Sequence, residues 1–147
     1  MKNKLTPEII TLHRYFIWAD RMRVHFDYTL GKSKPSSSES YKKKVEIDTF
    51  LYMSLWYGMF YVLIEGWEDM KLKDKKIDEL LKSKNVKLLK KYRNGVFHFH
   101  KKYYDKHFIE LMSNGEDVAN WIRTLRDEFS RWFLDSYAHD KNKNTLK

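Results

Sequence analysis

Apolar side chains recur every three or four residues along most of this sequence, and little in it interrupts a helix. Five glycines and two prolines are spread over 147 residues. Sandwiches and barrels need a turn every few residues, so this scarcity of breakers favours long helices. No apolar–polar alternation of the strand type persists anywhere, and no internal repeat is present. The expected architecture is a single all-α domain over residues 1–147, a bundle of four to five helices.

Local signals place the helices. Thr6-Pro7-Glu8 reads as an N-cap, a proline at the first helical position and an acid in the first turn. Ile9, Leu12, Phe16, Ala19, Met22 and Phe26 then form one stripe, which Gly31 stops. Residues 31–40 are polar throughout and are expected to form a mobile loop. A second helix over 41–70 carries Ile47, Leu51, Leu55, Met59, Val62 and Leu63 as its core stripe, widened by Trp56, Phe60 and Trp67. So broad a face suits a central helix, or one that also meets a partner chain. A short helical piece is expected within 71–83 around Ile77, Leu80 and Leu81. A third helix should span 86–112, bent near Gly95 and closed by Ser113-Asn114-Gly115. A fourth holds Val118, Trp121, Ile122, Leu125, Phe129, Trp132 and Phe133 in register, and the tail over 140–147 is expected to fray.

Charge narrows the function classes. Residues 71–102 carry twelve Lys or Arg against three acids, while the flanking stretches nearly balance, so the net charge of +9 sits in one segment. A basic focus of this kind draws phosphate-bearing polymers by counterion release. The plainer alternative is a solvated lysine-rich face. With no cysteine, disulfides, thiolate nucleophiles and Cys-based zinc sites are excluded. The N-terminus runs into His13 and Arg14 rather than an apolar signal core. The longest uncharged run, residues 49–64, is sixteen residues, short of the about 20 that span a bilayer. It is expected to be a buried core helix, with no membrane partner and a cytoplasmic location.

Chemistry concentrates in Arg93-Asn94-Gly95-Val96-Phe97-His98. This run resembles the signature of the HEPN family, small helical-bundle proteins of which many are ribonucleases in toxin–antitoxin, CRISPR and anti-phage systems. That signature is an arginine, commonly followed by a polar residue, and a histidine after a gap of about four to six residues. Arg93, Asn94 and His98 match it position by position, and the likeness in fold covers residues 5–138. The resemblance implies a metal-independent endoribonuclease that cuts single-stranded RNA and leaves 2′,3′-cyclic phosphate and 5′-hydroxyl ends. It also implies a homodimer in which each protomer lends its Arg and His, with an antitoxin or defence-system protein as a further partner. No cofactor is expected.

The residue types suit that chemistry. RNA supplies its own nucleophile, the 2′-hydroxyl, so cleavage needs proton transfer and stabilisation of a more negative phosphorus centre. An imidazole can move the proton, worth about 10²–10⁴-fold. A guanidinium grips two phosphate oxygens with permanent charge. Asn94 is a candidate for bonding the phosphate or fixing the His98 tautomer. His100 also falls within the permitted gap; His98 is preferred because one bent turn would bring it to Arg93 and Asn94 together. Lys90, Lys91, Lys101, Lys102 and His100 are the expected RNA contacts, and Tyr103 and Tyr104 are candidates to stack on bases, although packing is the commoner fate of a helical tyrosine. Among Glu65, Glu68 and Asp69, one is a candidate to orient Arg93 or a histidine. No metal site is expected: on one continuous helix His98 and His100 point apart, and His100 and His107 stand about 10 Å from each other. In some family toxins a tyrosine two residues past the motif histidine is modified with AMP; here that position is His100, so silencing by that route is not expected.

Overall fold

The structure, a computed structural model, describes residues 4–144, with the side chains of residues 4–141. Among these residues six helices pack into a bundle: α1 (Pro7–Thr29), α2 (Glu39–Asp69), α3 (Lys75–Leu80), α4 (Asn85–Phe97), α5 (Lys106–Asn114) and α6 (Val118–Asn144). No strand occurs among the described residues. α2 lies between α1 and α4; α5 packs on α4, and α3 packs on α6.

Side-chain caps set most of the starts. Thr6 Oγ1 accepts from the Ile9 amide at 3.3 Å, and Ser38 Oγ accepts from Tyr41 at 3.2 Å. Asp74 and Asp105 do the same for α3 and α5. Each satisfies an amide that the first helical turn leaves without a partner. The loop before α2 is stitched by Lys34 and Ser37, whose amides donate to the Ser37 hydroxyl and the Lys34 carbonyl. After α2 the chain turns through Lys71 at φ 53°, and the Leu72 amide reaches back to the Trp67 carbonyl at 3.2 Å. This closes the helix in the manner usual for a left-handed glycine.

Large aromatic rings fill the centre. Trp67 stands edge-on to Phe129 and to Trp132, with centroids 5.4 and 5.0 Å away, and Phe60 meets Phe129 at 5.9 Å. Ile9, Leu12, Phe16 and Ala19 of α1 are buried as the stripe predicts, as are Trp121, Ile122, Leu125, Phe129, Trp132 and Phe133 of α6. Ion pairs rim this core: Arg123 binds Asp27, Arg126 binds Asp20 at 2.8 Å, and Arg23 bridges the two carboxylates.

Four expectations need correction. Among the described residues there are six helices rather than four or five, because the expected helix over 86–112 is two. It breaks after Phe97, where His98 takes an extended conformation (φ −125°, ψ 136°), and resumes at Lys106 behind the Asp105 cap. Gly95 is not a bend. It lies inside α4, where an added Cβ would come within 3.0 Å of His107 Cβ and 3.1 Å of the Phe108 ring, so its bareness admits α5. On α2 the buried residues include Trp56, Tyr57, Phe60, Tyr61, Leu63, Ile64 and Trp67, whereas Ile47 and Leu51 are 67% and 47% exposed. Finally, α6 continues past Asp140 to Asn144; residues 145–147, the rest of the expected frayed tail, lie outside the described residues. α2 is long and apolar enough to cross a membrane; Trp56, Tyr57, Phe60, Tyr61, Leu63, Ile64 and Trp67 sit in the core, while Phe50 and Leu51, within the run expected to be buried, are exposed.

Candidate active site

α4 carries the motif, and its two faces meet different neighbours. One face turns to α2. Tyr92 is buried there, its hydroxyl 2.9 Å from Ser54 Oγ, and burial pushes its pKa up to about 12. It is a structural phenol, neutral at any working pH. Phe97 sits over Gly58, where a Cβ would come within 2.8 Å of the ring. Arg93 joins this face: its Nη2 donates to Glu65 Oε1 at 3.4 Å, and its guanidinium lies 5.0 Å from the Tyr61 centroid. The Arg93 Nε is buried with no hydrogen-bond partner. Of the acids on α2 named as candidates, Glu65 is the one in contact with Arg93.

The other face turns to α5 and to the connection over 98–105. His98 is the C-cap residue: its amide donates to the Asn94 carbonyl at 3.0 Å, and its side chain is exposed. No bent turn carries it back onto α4, so the geometric reason for preferring it over His100 does not hold. His100 is the histidine that returns. Its Nε2 is 3.4 Å from the Asn94 carbonyl oxygen, and its ring lies against His107, centroids 4.2 Å apart. Asp105 joins the pair, its Oδ1 accepting from the His107 amide at 2.9 Å and contacting His107 Nδ1, with His100 Nδ1 at 4.0 Å. The break after Phe97 therefore overturns the 10 Å separation that a continuous helix would impose. The Asp105 carboxyl is held below its ordinary range, foremost by the His107 amide and then by the His107 side chain.

A pocket of about 760 Å³ opens here, lined among others by Gly95, His98, His100, Lys102, Tyr103 and Phe108. Arg93 is not among its lining residues. The structure thus gathers His98, His100 and Lys102 in one pocket and sends Arg93 to the α2 side of the same helix. Phe99, Tyr103 and Tyr104 stand 92%, 83% and 78% exposed around it, and Tyr103 meets Tyr104 edge-on with centroids 5.0 Å apart. Packing, the commoner fate of a helical tyrosine, does not apply, because both lie outside the helices.

The lysines divide. Lys91 is held by Glu110 at 2.5 Å. Lys90, Lys101 and Lys102 are exposed and take no ion pair among the described residues. Sequence reasoning missed Asp105 and His107 as members of the cluster. The signal that could have found them was Asp105 itself, a favoured N-cap residue that marks a new helix start inside the supposed continuous one. No family model, no curated protein and no solved structure matches the chain.

Proposed function

We propose that this protein is a HEPN-like, metal-independent endoribonuclease acting on single-stranded RNA, with Arg93, Asn94 and His98 as its reactive residues. The observation that carries the reading is the motif run at the exposed end of α4, beside a histidine- and tyrosine-lined pocket flanked by unpaired lysines. In this reading the 2′-hydroxyl oxygen attacks phosphorus and its proton passes to an imidazole. The P–O5′ bond breaks, and the departing 5′-oxygen takes a proton back from the imidazolium so formed. Arg93 neutralises the charge that develops on the non-bridging oxygens. Lys90, Lys101 and Lys102 hold the backbone without reading sequence, and Phe99, Tyr103 and Tyr104 offer rings for unstacked bases.

A homodimer belongs to the same reading. Ile47, Phe50 and Leu51 of α2 are exposed beside a second pocket of about 630 Å³ that shares Phe50, Val96, Tyr103 and Phe108 with the first. An apolar surface this continuous supports a partner chain. A cytoplasmic setting and a restraining antitoxin or defence partner complete the proposal.

One observation favours a second reading, a non-catalytic module that binds RNA or a protein. Arg93 is engaged by Glu65 and Tyr61 rather than aimed at His98. RNA digestion in EDTA separates the two. The nuclease reading expects cleavage that His98→Ala and Arg93→Ala each reduce by about 10²-fold or more with the fold intact. Cleavage lost in His100→Ala but kept in His98→Ala would move the role to His100. RNA binding with no cleavage would leave the binding module.

A further inference from the structure

We propose that His100, Asp105 and His107 form a zinc site that staples the end of α4 to the start of α5. Their candidate donor atoms all lie within 4.8 Å of one another. A tetrahedral zinc with bonds of about 2.0–2.1 Å needs donors a little over 3 Å apart, so small side-chain adjustments close the set. The two His–Asp contacts already bracket that spacing: Nδ1 of His100 is 4.0 Å from Asp105 Oδ1, and Nδ1 of His107 touches the same oxygen.

The tautomer of His100 is prepared for ligation. Its Nε2 faces the Asn94 carbonyl at 3.4 Å, so an Nε2–H donates there and leaves the Nδ1 lone pair directed at Asp105. A metal-bound imidazole almost always donates its far N–H to a carbonyl or carboxylate in this way. The two rings lie 4.2 Å apart and 30° from parallel, an arrangement in which two imidazolium ions would repel and two zinc-bound imidazoles would not. All three side chains are roughly one-fifth to one-quarter exposed, sheltered yet reachable.

Two imidazoles and one carboxylate are donors that tetrahedral zinc accepts, and three protein ligands leave the fourth position to water. To bind, His107 takes the tautomer with its proton on Nε2, which frees the Nδ1 lone pair for the metal. The consequence is mechanical. His100 is tied to α4 through Asn94 and His107 to the first turn of α5, so one ion fixes both ends of the connection over 98–105 that presents His98, Phe99, Tyr103 and Tyr104. This inference needs no RNA and no cleavage, and it stands or falls apart from the nuclease reading.

Calorimetric titration of zinc into the full chain, stripped of metal and free of any affinity histidines, tests it. One zinc per chain is expected, with affinity about tenfold or more weaker in His100→Gln and in His107→Gln, and unchanged in His139→Gln. Asp105→Asn keeps an N-cap residue and so keeps the helix start, while the loss of its charge should weaken the site and abolish the visible bands of bound cobalt(II). Zinc should also slow amide exchange across residues 98–105. Absence of stoichiometric uptake, or uptake equal in all the variants, would reduce the cluster to a hydrogen-bonded helix cap and overturn the proposal.

Discussion

Around Trp67 the aromatic side chains meet one another, whereas around His100 they meet solvent. Trp67 is 1% exposed and lies edge-on to two further rings, with its indole N–H on Asp78 at 3.3 Å. Phe99, Tyr103 and Tyr104, drawn from the same kinds of residue, leave most of their surface to solvent. The polar groups divide likewise. Near the core, Arg123 and Arg126 are saturated by Asp27 and Asp20, while beside the pocket Lys101 and Lys102 take no carboxylate among the described residues. Folding has consumed the interactions of one region and left those of the other for something else to satisfy. The difference is one of packing, so substitutions can break it.

The largest effect is expected at Trp67. Truncating a ring this enclosed loses its transfer free energy and leaves a cavity between α2 and α6, and Trp67→Ala should cost about 3–5 kcal/mol in a denaturant titration. A cost under about 1 kcal/mol would mean that the aromatic centre collapses around the loss and is not a fixed core.

That centre was largely legible in the sequence. The stripe on α1 and the α6 series repeat at helical spacing, and both are buried. On α2 the expected face holds at Trp56, Phe60, Leu63 and Trp67 and fails at its N-terminal end. Ile47 and Leu51 share a helical face with Leu55, but the partners that would bury them, α4 and α5, stop short of covering them. Residues 97–107 were harder. Phe-His-Phe-His-Lys-Lys-Tyr-Tyr holds neither glycine nor proline, and periodicity alone cannot show that a chain leaves a helix at one residue and re-enters eight later. The basic focus could be read from composition, but Lys91 being spent on Glu110 depends on how α5 folds back.

A smaller effect is expected at Gly95, where the two regions join. Its bare Cα lets His107 and Phe108 approach α4. Gly95→Ala gains helix propensity but must displace Cβ of His107, which cannot rotate away, so a net loss of about 1–3 kcal/mol is expected. Amide exchange should speed up in α5 more than in α1. A uniform change, or a gain in stability, would show that α5 is not seated by that contact.

Acid should sharpen the contrast from the core side. His13 lies among Phe16, Phe133 and Tyr137, with Nδ1 3.1 Å from the Tyr137 oxygen, and burial lowers its pKa. The folded state therefore holds His13 neutral where the unfolded chain has begun to protonate. Stability should fall as pH drops below about 6.5, and this loss should end once pH passes the lowered folded value. His13→Phe should remove that loss. A second loss below about pH 4 should persist in the variant. At Asp20 burial is outweighed by hydrogen bonds from Arg126 and Arg23, and at Asp27 the Arg123 bond leads, so both carboxyls lie below their ordinary values. Identical melting-temperature profiles for the two proteins between pH 7 and 5 would exclude His13 as the source.

The smallest expected change in stability is at Phe99. Its ring is 92% exposed, so the folded chain gains nothing from it that the unfolded chain lacks, and Phe99→Ala should alter stability by no more than about 0.5 kcal/mol. The same substitution should weaken RNA binding measurably, because stacking on an exposed ring is worth about 1–3 kcal/mol per base. If instead Phe99→Ala leaves RNA affinity unchanged and shifts a dimer towards monomer, the ring covers a second protomer. If it costs as much stability as a core truncation, the ring is buried in solution and the contrast with Trp67 fails.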